Sequence, residues 1–189
     1  MCGRKRIVVG ITGASGAPLA VTCLKLIKAS SDYEIHLVVS RGGEETLLSE
    51  TDMTLAEVKE LADVWYDNKS IGAGIASGTF KTEGMLIVPC SMKTAAGICS
   101  GYSDNLLLRA ADVTIKEKRR LVLVAREAPL SPIHLRNLGY LAGLPNVVVL
   151  PPVVSYYSRP KSLEDVNFHI AGKILDAAGI SVEGFKRWN

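Results

Sequence analysis

Aromatic side chains are scarce in this sequence, 6% of 189 residues, and none interleaves with a dense basic run. A nucleic-acid surface needs stacking rings and clustered cations together. A formal charge of only +3 gives no electrostatic reason to expect one, though it suits a binder of small anions. The longest basic cluster, Lys116-Glu117-Lys118-Arg119-Arg120, reads as a solvated helix end ahead of a strand. Metal ligands are sparse too. His36, His134 and His169 fall in three separate segments, and Cys2, Cys23, Cys90 and Cys99 form no Cys-x-x-Cys pair. Neither set has zinc-site spacing, so no metal centre is expected. Reduced thiols point to a cytoplasmic protein. No apolar stretch reaches the roughly 18 residues that span a bilayer, so no membrane is expected. The charged start Met1-Cys2-Gly3-Arg4-Lys5-Arg6 leads into a run too short for a signal peptide, and that run is assigned to the first strand.

What is present points to one α/β domain over residues 1–189. The chain is 48% hydrophobic and 22% charged, and is long enough to bury a core. An apolar, β-branched segment from Arg6 breaks into Gly10-Ile-Thr-Gly13-Ala-Ser15-Gly16-Ala17. A strand that turns through spaced glycines into a helix lets backbone approach a ligand, and aims helix N–H groups at an anion. The loop therefore indicates a phosphate-bearing ligand, the alternative being a tight packing turn. It is not a dinucleotide fingerprint, because the spacing is not Gly-x-Gly-x-x-Gly and the second strand ends in Ser40 instead of an acidic residue. Tyr157-x-x-x-Lys161 contains Pro160, so it cannot share one helical face. No Gly-x-x-x-x-Gly-Lys-[Ser/Thr] motif occurs.

Periodicity places strands at 5–11, 34–39, 84–88, 121–125 and 147–150. Pro89 is expected to stop the third. Helices are expected from Ala17 to Ile27, in two pieces over 41–62, from Lys93 to Ser100, from an Asp104 cap to Lys116, from Pro132 to Ala142 and from Ser162 to Ala178. Thr54-x-x-Glu57 is a capping-box signature. Residues 71–82 read as a loop that can hold a short helix. This alternation predicts a doubly wound parallel sheet, Rossmann-like and flavodoxin-like, with helices on both faces.

Ligands in such sheets bind beyond the carboxyl ends of the strands. Five segments meet there: Gly13–Gly16, Ser40, Pro89–Thr94, Arg126–Leu130 and Pro151–Arg159. Ser91 and Thr94 lie three apart in a first helical turn, where two hydroxyls beside backbone N–H groups can clamp a phosphate or a flavin ring; the alternative is a simple N-cap at Ser91. Lys93 lies between them. Cys90 has no neighbouring histidine to activate it and reads as a small buried residue. Arg126 and Glu127 at a strand end can set a cation on a phosphate and a carboxylate for proton transfer, the alternative being a surface ion pair. Tyr156 and Tyr157, in a proline-bounded loop, can cover an apolar substrate group or pack on the last helix.

Taken together, the strings Gly10–Ala17, His36-Leu-Val-Val-Ser40, Glu50-Thr51, Pro89-Cys-Ser-Met-Lys-Thr94, Asp104–Asp112, Lys116-Glu117, Arg126-Glu127, Pro151-Pro152, Tyr157-x-Arg159-Pro160 and Ser162-Leu163 run in order along almost the whole chain. The chain resembles the UbiX-like flavin prenyltransferases, including the small flavoproteins of phenolic-acid decarboxylase systems. The closing Lys186-Arg187-Trp188-Asn189 is similar to that branch. The sequence departs from the family pattern at Ala128, where a threonine is usual, at Val154-Ser155-Tyr156 in place of Pro-Ala-Phe, and at Ala76-Ser77-Gly78-Thr79 in place of a Ser-Ser-Gly-Ser-like string.

The resemblance implies a metal-independent enzyme. It would join a dimethylallyl group from dimethylallyl phosphate to reduced FMN at N5 and C6. The product, prenylated FMN, would pass to a UbiD-like decarboxylase. By position, Gly13, Ala14, Ser15, Ser40, Ser91, Met92, Lys93, Thr94 and Arg126 would bind FMN. Tyr157, Lys173 and Arg109 would bind the prenyl donor, with Lys116 and Arg126 helping. Glu127 would transfer the proton, with Glu50 and Lys116 assisting. The family also implies a large homo-oligomer with shared active sites. Two other readings stay open: an FMN-dependent cysteine decarboxylase, whose Pro-x-Met-Asn motif is absent here, and a non-catalytic flavin-carrying component of a decarboxylase complex.

Overall fold

The computed structural model describes residues 3–188. Six parallel strands form one sheet in the order β3-β2-β1-β4-β5-β6. They are β1 (Lys5–Ile11), β2 (Tyr33–Val39), β3 (Val64–Asp67), β4 (Gly84–Cys90), β5 (Arg120–Ala125) and β6 (Val147–Val149). The strand order reverses at β1, which pairs with β2 on one side and β4 on the other. That switch point opens a crevice at the carboxyl ends of β1 and β4.

Alternate strand residues enter opposite layers. Ile7, Val9 and Ile11 pack with α1 (Ala17–Ser30) and α7 (Leu163–Ala177), through Leu24, Ile27, Ile170 and Ile174. Val8, Met85, Ile87 and Leu123 pack with α4 (Met92–Cys99), α5 (Leu106–Lys116) and α6 (Pro132–Ala142). Helices cover both faces, which is why β4 and β5 read as unbroken apolar runs instead of alternating ones. The shorter α2 (Arg41–Glu50) and α3 (Leu55–Glu60) join β2 to β3. Thr54 and Glu57 form the expected capping box. Among the described residues no helix is long and apolar enough to cross a membrane. Cys2 and Asn189 lie outside the described residues.

Two local expectations need correction, and one strand, β3, is not among those expected. Pro89 does not end β4, which continues to Cys90 through a register shift against β5. A proline lacks the N–H a ladder needs, and a bulge accommodates it; its carbonyl is used by Thr12 instead. The N-cap of α5 is Asn105, whose side chain accepts from the Leu108 N–H, not Asp104. Finally, β3 carries no strong pattern of its own. It is a four-residue edge strand that exists because β2 offers it a partner.

Candidate functional site

Gly13, Ser40, Ser91, Lys93 and Thr94 line one cavity of about 540 Å³ at the switch point. Its walls include the first residues of three helices: Arg41 and Gly42 of α2, Lys93 and Thr94 of α4, and Leu107 and Leu108 of α5. Helix N-termini carry partial positive charge and unpaired N–H groups. The starts of α2 and α4, beside Arg41 and Lys93, favour an anionic ligand; α5 adds only its dipole, because Asn68 and Asn105 take its first N–H groups, and Asp104 is the one carboxylate among the lining residues. Gly13 is required by contact: a Cβ there would stand 2.9 Å from the Gly42 backbone. This is a backbone-lined cradle suited to a flat, phosphate-bearing molecule, and the residues present fit FMN. Ala14 is buried beside it.

The loops are stitched by a residue that the sequence pattern did not single out. Thr12 is 1% exposed. Its hydroxyl donates to the Pro89 carbonyl at 2.8 Å and accepts from the Ser91 N–H at 2.8 Å. Asn68, at the end of β3, does the same for α5: its side-chain oxygen accepts from the Leu107 N–H, and its carbonyl from the Leu106 N–H. A buried loop threonine and an asparagine after an edge strand become informative only once their partners are known. The Ser91 hydroxyl caps α4 and lies 3.1 Å from the Thr94 hydroxyl, and both residues line the cavity. Ser40 likewise caps α2 through the Gly43 N–H.

The N-terminus of α1 behaves differently from the expectation of free N–H groups aimed at a ligand phosphate. Glu50 Oε2 accepts from the N–H groups of Gly16 at 2.8 Å and Ala17 at 2.9 Å. Partial burial works against its charge. Hydrogen bonds from Ser15, Gly16 and Ala17 and the nearby Arg126 outweigh that and hold its pKa below the ordinary carboxylate value. Glu50 is thus the resident anion of α1. With a folded-state pKa below the unfolded one, it contributes stability above the ordinary carboxylate range, and that stability is lost as pH falls through the folded value. Chemical denaturation from about pH 7 to about pH 3 should therefore show a shallower acid loss for Glu50→Gln than for wild type. Equal slopes would contradict the anchoring.

Arg126 Nε donates to the Ser15 carbonyl at 3.2 Å, which ties the β5 end to the glycine loop. Glu127, exposed beside it, accepts from the Ala128 N–H at 3.0 Å. Tyr157 and Lys173 line a neighbouring hollow of about 300 Å³ with Leu150, Pro151 and Val153. Tyr157 also meets His169 and Trp188 edge-on. Arg109 and Lys116 stand elsewhere, in a surface recess of about 420 Å³ walled by residues 76–79. Arg109 pairs with Asp112, and Lys116 with Glu117. Of the five loop segments, Gly13, Ser40 and the Ser91–Thr94 turn line the first hollow and the Pro151–Tyr157 loop the second, while the Arg126–Leu130 segment lines neither; three of the proposed cations, Arg109, Lys116 and Arg126, lie outside both. Met92 opens α4 beside Ser91. Burial pushes the Cys90 thiol up to about 12, consistent with an inert packed residue.

Residues 1–173 match the family model described as Flavoprotein. Flavin prenyltransferase LpdB of Lactiplantibacillus plantarum is 52% identical over 184 residues, 97% of this chain and 98% of that protein. The chain belongs to the UbiX-like flavin prenyltransferases. Flavin prenyltransferase UbiX of Escherichia coli K12 is 47% identical over 97% of this member and 98% of its own length. Two crystal structures of relatives superpose with a TM-score of 0.95. One is a dodecameric FMN-dependent UbiX-like decarboxylase from Escherichia coli O157:H7, 42% identical over 97% of this chain and 99% of that chain. The other is AnUbiX in complex with FMN and dimethylallyl pyrophosphate, 44% identical over 99% and 98%. The peptidyl-cysteine decarboxylase EpiD, 17% identical with a TM-score of 0.59, shares the fold alone.

Proposed function

We propose that this flavoprotein transfers a dimethylallyl group from dimethylallyl phosphate to reduced FMN, forming prenylated FMN for a UbiD-like decarboxylase. The observation that carries the proposal is the Gly13–Gly42 cradle beside the N-termini of α2 and α4, in a chain 44% identical to a relative that binds both FMN and a dimethylallyl donor. In the reaction the allylic carbon–oxygen bond breaks and the phosphate leaves with the electron pair. The bond to N5 displaces the N5 proton, which leaves with the phosphate; the bond to C6 uses up the remaining C=C bond, whose other carbon takes one proton while C6 gives one up, so a group that can both donate and accept a proton is needed.

The chain's residues divide that work. Gly13, Ala14, Ser15, Ser40, Ser91, Met92, Lys93, Thr94 and Arg126 hold FMN. Tyr157 and Lys173 present the donor's apolar group and phosphate, with Arg109, Lys116 and Arg126 stabilising the departing charge, as preorganised cations do in a site screened from water. Glu127 moves the proton, and Glu50 assists as a fixed negative charge bound to Ser15. Because Arg109 and Lys116 lie apart from Glu127 within one chain, the complete site is assembled between protomers of a large homo-oligomer; the relative from Escherichia coli O157:H7 is a dodecamer.

The decisive experiment is an anaerobic incubation of the protein with reduced FMN and dimethylallyl phosphate, followed by the mass of the flavin. A gain of one dimethylallyl unit is expected. An unchanged flavin that stays bound would instead favour a non-catalytic flavin carrier.

A further inference from the structure

The basic run at the end of α5 is not uniformly solvated. Arg119 is half-buried, and its guanidinium spans a loop about 40 residues earlier. It donates to the Gly78 carbonyl at 2.6 Å, to the Phe80 carbonyl at 2.9 Å and to the Thr82 hydroxyl at 3.4 Å. The Phe80 ring is seated between Arg6, 4.6 Å from its centroid, and His36, which meets it edge-on at 5.1 Å. The same loop lies against the Lys116–Glu117 ion pair of the recess: a Cβ on Gly78 would fall 2.2 Å from Glu117 Oε1 and 3.2 Å from Lys116 Nζ. On its open side the loop offers the paired hydroxyls of Ser77 and Thr79, 2.9 Å apart, to the recess that Arg109 and Lys116 line.

We propose that Arg119 is a positioning residue for this recess, fixing the Ser77–Thr79 wall against Lys116 so that hydroxyls and cations meet one phosphate. The inference rests on the reading above, in which the recess serves the phosphate of the prenyl donor. The physical reason is electrostatic as well as geometric. Carbonyl oxygens turned towards an anion repel it, and Arg119 takes up those of Gly78 and Phe80 with a rigid planar fork that lysine cannot reproduce. Arg119 touches no substrate itself, since it does not line the recess.

Arg119→Gln should raise KM for dimethylallyl phosphate roughly tenfold or more and leave KM for FMN within about twofold. Hydrogen exchange at the amides of residues 77–82 should quicken about tenfold, with the rest of the chain unchanged. Arg119→Lys keeps the charge but loses the fork, and should fall between the two. It also serves if the glutamine variant does not fold. Unchanged donor KM and unchanged exchange would overturn the proposal, as would equal losses for both substrates with exchange quickened throughout. If the wild type transfers no prenyl group, the functional reading fails on its own. Exchange at 77–82 and calorimetric binding of inorganic phosphate to wild type and variant would still decide the role of Arg119: equal values in both would overturn it, and weaker phosphate binding with a loosened wall would uphold it.

Discussion

Glu127→Gln is expected to bind FMN like the wild type and to transfer the prenyl group at least ~100-fold more slowly, the usual scale for losing a positioned proton-transfer group. The substitution keeps side-chain volume and removes only the ability to take a proton. The cradle does not include Glu127, so FMN titration should be unaffected. Glu127 is free for this task in a way that Glu50 is not. Among the described residues its carboxylate accepts only from the next residue's N–H, whereas Glu50 is committed to two N–H groups at the start of α1. Glu50 is also held towards its ionised form, which makes it a weak proton acceptor. Single-turnover kinetics with bound reduced FMN would isolate the step. Near-normal transfer by Glu127→Gln would move the proton to another group and remove the proposed role.

The second expected result is a rescue. Lys116→Ala and Glu127→Gln should each be nearly inactive as pure proteins, the first losing about 100-fold when a cation is withdrawn from the leaving phosphate. Co-expressed, they should regain activity that neither has alone. The reason is distance. Lys116 closes α5 just before β5 begins, and Glu127 follows the other end of β5. A six-residue strand spans about 20 Å, so one chain does not bring both side chains to one donor molecule. Two chains can, if the 76–79 recess of one faces the Glu127 edge of its neighbour. Mixed oligomers then contain some sites with both intact residues. Absence of any rescue, with co-assembly verified by mass, would place Lys116 outside the active site.

Much of this was legible before the fold was known, because it depends on short-range rules. The apolar run into Gly10–Gly16, the buried stretches of β4 and β5 and the capping box at Thr54 each follow from backbone geometry and side-chain period within a few residues. The alternation of these elements determines the doubly wound class, and with it the edge at which ligands bind. The scarcity of aromatics and of metal-ligand spacing narrowed the chemistry by the same local reasoning. Where expectation failed, a distant partner was responsible. The strand β3 needs β2. The continuation of β4 through Pro89 needs Thr12 to use the proline carbonyl.

The tertiary structure alone decided which N-termini are open to a ligand. Gly16 and Ala17 looked like a phosphate site from their own neighbours, but a carboxylate 34 residues from Gly16 takes their N–H groups, Asn68 and Asn105 take those of α5, and the cradle shifts to α2 and α4. The structure also gave Arg119 its partners and set Lys116 apart from Glu127. Each of these outcomes is a contact between segments far apart in the chain. The sequence by itself determined the elements, the ligand edge and the kinds of side chain available there. Pairing across long loops, which depends on how the two helical layers pack on the sheet, decided what those side chains hold.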